Sequence, residues 1–118
     1  MNRQQHIKLG LIGFIFYIVA TYCLKPFEIN DASIIILIVG GTTSVLGSVL
    51  PDLVEPGGDF RHRGFAHSKR VLSWCLAIFL ILFIASLLAP VLLVLSAGLL
   101  GYILHLLADA TTKTSIPE

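Results

Sequence analysis

Two short stretches carry side chains of the kind that hold a metal ion. Residues 61–68, RHRGFAHS, place His62 and His67 on either side of a glycine, Gly64. Further on, HLLAD sets His105 and Asp109 four apart, so on a helix they share one face. A pair of this kind offers an imidazole and a carboxylate to one ion, as the two histidines of HExxH do. His6, Asp52 and Glu55 bring the candidates to seven. Mixed imidazole and carboxylate donors without cysteine suit Zn²⁺, then Mn²⁺ or Fe²⁺, and argue against a structural zinc site built on cysteine. Seven donors exceed the four of a closed tetrahedral site. The surplus leaves room for one ion or two, and two ions about 3.5–4 Å apart can drive in-line attack on a phosphoester.

The elements that must position these residues are unusually apolar. Only 13% of the chain is charged, against about 25% in an ordinary soluble domain, so a water-soluble globule is the wrong expectation. Residues 9–24, 32–51 and 71–104 contain no Asp, Glu, Lys, Arg or His. A helix crossing ~30 Å of hydrocarbon needs about 20 apolar residues. The first stretch reaches that length with Ile7 and with Lys8 snorkelling to the surface, and the second fits as it stands. The third is too long for one crossing and carries Pro90 near its middle. We read it as two spans, with one tilted, proline-kinked helix as the alternative. The N-terminus has the basic start and apolar run of a signal peptide. It lacks a small-x-small cleavage site, and Tyr22 before Cys23 is a poor lipoprotein junction, so the segment is read as a retained helix. The expectation is an all-α, single-domain integral membrane bundle over 1–118. Its four transmembrane helices are placed at about 7–24, 32–50, 71–89 and 91–110, with a loop at 51–70.

Four spans put Arg3, Lys8, Arg61, Arg63, Lys69, Arg70 and Lys113 on one side and Lys25 alone on the other. Lys and Arg mark the cytoplasmic side, so both termini and the 51–70 loop are expected to face the cytoplasm from an inner membrane. All four histidines fall at that face with Asp52, Glu55, Asp59 and Asp109, while Glu28 and Asp31 lie opposite. The bundle would thus gather a polar metal site at its cytoplasmic end. Acids and histidines at membrane depth are unfavourable unless they pair or serve a function. His6, Gly10 and Gly13 share a face of the first helix. With Gly40, Ser44, Ser48, Ala97 and Gly101 they allow close helix approach, and such faces also suit pairing of two copies. Ser68 is the expected N-cap of the third helix. Cys23 and Cys75, at opposite ends of their spans, should lie too far apart for a disulfide.

Taken together, GSVLPDLVEP at 47–56, HRGFAHS at 62–68 and GYILHLLADATT at 101–112 resemble the YdjM-like family of membrane-bound, predicted metal-dependent hydrolases. The likeness runs in order through nearly the whole chain. It implies that His62, His67, His105 and Asp109 are metal ligands, joined by Asp52 and His6. More loosely, the pattern is similar to zinc phospholipase C and P1-type nucleases, which cut phosphodiesters. The chain departs from the family pattern at Val54, where many members carry a second Asp and where Glu55 follows. It departs again at Ala66 in place of Thr, and at Ser115 in place of Gly. The implied function is hydrolysis of a phosphoester or phospholipid-like substrate at the cytoplasmic membrane face. Asp52 would bridge metals or act as base, Glu55 would stand in for the second acid, and Arg63 would clamp a phosphate oxygen. The partners are then the lipid bilayer and that substrate, and no nucleic-acid contact is expected. The alternative is a non-catalytic metal-binding membrane protein, a sensor or structural subunit.

Overall fold

Each apolar stretch becomes helix, and the long third one becomes two. The computed structural model describes residues 3–54 and 64–111. Helix α1 is Arg3–Leu24, α2 is Asp31–Val54, α3 is Lys69–Ser86 and α4 is Leu92–Ala110, with a single 3-10 turn, Phe65–His67, ahead of α3. No strand occurs among the described residues. All four helices are long and apolar enough to cross a membrane. Large apolar side chains such as Phe16, Leu46, Trp74 and Ile81 point outward, where water would be repelled and lipid tails fit. The chain is an integral membrane protein, a four-helix bundle.

Helices α2 and α4 form the tightest pair, α1 packs across both, and α3 leans on α4. Small residues set these distances. A Cβ on Gly101 would overlap the Ser44 carbonyl, and one on Gly47 would overlap the Gly98 carbonyl, so the α2 and α4 backbones touch directly. Hydroxyls supply the polar links that replace a hydrophobic driving force inside lipid. Thr43 Oγ1 donates to the Val94 carbonyl at 2.9 Å, and Ser44 Oγ to the Gly10 carbonyl at 3.1 Å. Beside them Phe14, Tyr17, Leu93 and Ala97 form the apolar core, and the Tyr17 hydroxyl bonds Ser96 Oγ at 2.5 Å.

The junction at Pro90 is a reversal, not a kink. Helix α3 ends at Ser86 and α4, antiparallel, packs back against it. The connection has no polar side chain, yet its backbone is served. Amides of Leu88 and Ala89 donate to the Ala85 carbonyl, and Lys25 Nζ donates to the Leu87 carbonyl at 2.5 Å. A cation there also meets the negative end of α3. Helix α3 begins two residues before its expected start and ends three residues before its expected end, and two other helix ends lie four residues beyond theirs. Helix α1 begins at Arg3, so His6 lies inside it. Helix α2 runs through Pro51 to Val54, so Asp52 sits in its last turn and not in a turn after it. A proline removes one intrahelical hydrogen bond, and the fully buried Pro51 is held by neighbouring helices that keep the turn in place.

Candidate metal centre

The start of α1, the end of α2, the turn before α3 and the end of α4 meet at one end of the bundle. Five of the seven candidate ligands lie there: His6, Asp52, His67, His105 and Asp109. Glu55, His62 and Arg63 fall outside the described residues. Cys23 and Cys75 are free, as expected.

His105 is the centre of the group, and two features of α2 and α4 place it. Gly101, one turn earlier on the same face, lets α4 sit against the α2 backbone. That approach brings His105 Nδ1 to 2.7 Å from the Ser48 carbonyl. A carbonyl only accepts, so Nδ1 carries the proton, and Nε2 is the ring atom turned into the cluster. Orientation of a ligating histidine by a backbone carbonyl is the usual outer-shell device of metal sites. Ser48 was legible only as a small packing residue, because nothing local marks which carbonyl an imidazole will meet.

His67 is fixed by the 3-10 turn. Its amide donates to the Gly64 carbonyl at 3.3 Å, and Ser68 caps α3 by accepting from the Val71 amide at 3.3 Å, as expected. The Tyr102 hydroxyl reaches from α4 to the Ala66 carbonyl at 2.8 Å, tying the turn to the helix that carries His105. Tyr102→Phe should therefore loosen His67 without touching a ligand. We expect metal affinity to fall about tenfold, the lower end of what loss of an outer-shell partner costs. Titration with a competing chelator checks this.

The distances test whether a metal fits. Nε2 of His105 lies 3.3 Å from Nε2 of His67, 3.3 Å from Asp109 Oδ2 and 3.6 Å from Asp52 Oδ1. His67 Nε2 lies 3.5 Å from Asp52 Oδ1 and 3.9 Å from Asp109 Oδ2. A tetrahedron with Zn–N and Zn–O bonds of ~2.0–2.1 Å has edges of about 3.3–3.4 Å. Three atoms, His105 Nε2, His67 Nε2 and Asp52 Oδ1, stand at or slightly beyond that spacing from one another, and Asp109 Oδ2 approaches the two imidazoles from α4. The other Asp109 oxygen, Oδ1, faces His6 Nε2 at 3.6 Å, so Asp109 is placed to bridge toward a second position. His6 stacks on His105 with ring centroids 3.9 Å apart and planes 20° from parallel.

Burial argues the same way. His6, His67, His105 and Asp109 are at most 1% exposed, whereas Asp52 is 32% exposed. His6 Nδ1 is buried with no hydrogen-bond partner among the described residues. Such an orphaned atom is uncommon, and it is the ring nitrogen other than the one that faces Asp109. Two carboxylates at the end of a membrane bundle also need compensating charge. No family model, no curated protein and no solved structure matches the chain.

Proposed function

We propose that the chain is a metal-dependent hydrolase of the inner membrane, acting on a phosphoester or phospholipid-like substrate at the cytoplasmic face. The observation that carries this reading is the convergence of two donor groups on His105, one with His67 and Asp52 and one with Asp109 and His6, at spacings of 3.3–3.6 Å. The donor set suits Zn²⁺ first, then Mn²⁺ or Fe²⁺. The clustering of Lys and Arg at the same end supports the cytoplasmic orientation, and the likeness to the YdjM-like family supports the reaction class.

When bound, such an ion polarises a phosphoryl oxygen and lowers the pKa of water at the site toward ~7. The protein's own part begins with Asp52. It is the one member of the cluster substantially open to solvent, so water and substrate reach the site along its side. Its carboxylate would help to hold the ion with His67 and His105, or take a proton from the attacking water. His105, held through Nδ1 by the Ser48 carbonyl, is kept from rotating out of position. Arg63 is assigned by sequence to a phosphate oxygen and Glu55 to a supporting acid. The cluster sits at helix ends, at headgroup depth, which favours a phosphoester carried by a lipid.

Zinc-loaded protein in detergent, assayed with a model phosphodiester and with phospholipid, tests this. We expect hydrolysis that is lost in His67→Ala; turnover unchanged in that variant would sink the proposal. The near-complete burial of four of the five residues favours a second reading, a closed, non-catalytic metal site in a sensor or structural subunit. It predicts tight stoichiometric metal with no hydrolysis of either substrate.

A further inference from the structure

The end of the bundle opposite the cluster holds a cavity of about 270 Å³. It lies where α1 and α3 end and α2 and α4 begin. Phe27, Ile36, Leu37 and Leu93 supply its apolar walls, and Lys25 and Glu28 stand at it from the α1–α2 connection. The cavity is not a gap left by a slack loop. Asn30 and Ser33 cap α2 reciprocally: Ser33 N donates to Asn30 Oδ1 at 2.9 Å and Asn30 N to Ser33 Oγ at 2.8 Å. Phe27 packs edge-on against Tyr22 at 5.3 Å, and Lys25 is tied across the opening to the Leu87 carbonyl. The walls are built before anything binds.

The chemistry of the lining selects the occupant. The walls of the cavity are mainly apolar, and the hydroxyls of Thr21, Ser33 and Ser86 that also line it already donate to backbone carbonyls, which leaves water few partners inside. The cavity is also slightly smaller than the ~300–1,000 Å³ that encloses a whole drug-sized ligand, so it takes part of a molecule. At the ends of membrane-spanning helices the apolar group always at hand is a lipid chain. The polar groups then choose the head. Lys25 and Glu28 are both exposed and form no ion pair with each other among the described residues. An ammonium carries three donors, and Leu87 takes one of those on Lys25. One cation and one carboxylate on a single short loop match a head that carries a phosphate and an amine.

We infer that this cavity binds one acyl chain of a zwitterionic phospholipid whose phosphate meets Lys25 and whose ammonium meets Glu28. The site is separate from the metal cluster and does not depend on it.

Native mass spectrometry of the full-length, detergent-purified chain, offered equal amounts of phosphatidylethanolamine and phosphatidylglycerol, reads it directly. We expect one phosphatidylethanolamine per chain, held about tenfold more strongly than phosphatidylglycerol, the worth of one charge-assisted hydrogen bond. Leu93→Trp fills the cavity and should abolish the adduct. Because Leu93 also belongs to the core, Lys25→Glu provides the independent arm. It lies in an exposed connection and should reduce phosphatidylethanolamine retention about tenfold in folded protein. Absence of a lipid adduct on the wild-type chain would overturn the inference. So would a preference for phosphatidylglycerol, or retention unchanged in Lys25→Glu.

Discussion

His105→Ala is expected to strip the protein of all tightly held metal. His105 Nε2 belongs to both donor groups, the one with His6 and Asp109 and the one with Asp52 and His67. No other histidine among the described residues has that position. Losing a ligating imidazole should exceed the ~10–100-fold in affinity that loss of a mere outer-shell partner costs. We therefore expect metal content to fall from stoichiometric to background, and any hydrolysis to fall with it. Elemental analysis of purified protein checks the first and the phosphoester assay the second.

His6→Ala makes the matching contrast. His6 Nε2 faces Asp109 Oδ1 and its ring stacks on His105, so among the described residues it shares a donor group with these two and not with His67 and Asp52. If two ions are bound, this variant keeps one of them; if one is bound, it keeps that one, because His67, His105, Asp52 and Asp109 remain. Equal and complete metal loss in His6→Ala and His105→Ala would contradict the division of the cluster drawn here. Stoichiometric metal in His105→Ala would remove the metal centre altogether.

Much of this arrangement could be read before any coordinates. Long runs without a charged residue fix four crossings, and crossing number sorts the histidines to one end, so His6 and His105 meet although they stand at opposite ends of the chain. His105 and Asp109 follow from helical spacing alone. What could not be read has a common physical cause: it depends on how closely α2 and α4 approach. The Ser48 carbonyl that sets the His105 tautomer, and the sharing of His105 between two donor groups, both follow from that distance. The end of α2 was also hidden, since a Leu-Pro-Asp sequence reads as a turn in water, whereas a buried proline inside a packed bundle does not break its helix. The cavity at the other end of the bundle was invisible for a different reason, because Phe27, Leu37 and Leu93 come together only in three dimensions.

If the α2–α4 approach controls the site, glycines along it should differ sharply in their tolerance of a single methyl group. At Gly101 the added Cβ would overlap the Ser44 carbonyl, with the Ser48 amide next to it. At Gly47 it would overlap the Gly98 carbonyl. Both obstacles are backbone, which cannot swing aside as a side chain can. Gly101→Ala and Gly47→Ala should therefore cost at or beyond the top of the ~1–3 kcal/mol usual for overpacking. Gly98 lies on the same seam, yet its Cβ would meet Thr43 atoms no nearer than 3.6 Å, an ordinary contact. There alanine should be neutral or stabilise by up to about 1 kcal/mol through helix propensity. Unfolding in a detergent–denaturant titration reads the stability difference. Metal affinity reads something further: Gly101→Ala pushes α4 away one turn before His105, so it should weaken metal binding even in molecules that remain folded, whereas Gly98→Ala should not. Equal behaviour of the two variants would mean that the helices are not in backbone contact, and that the Ser48–His105 hydrogen bond does not rest on their approach.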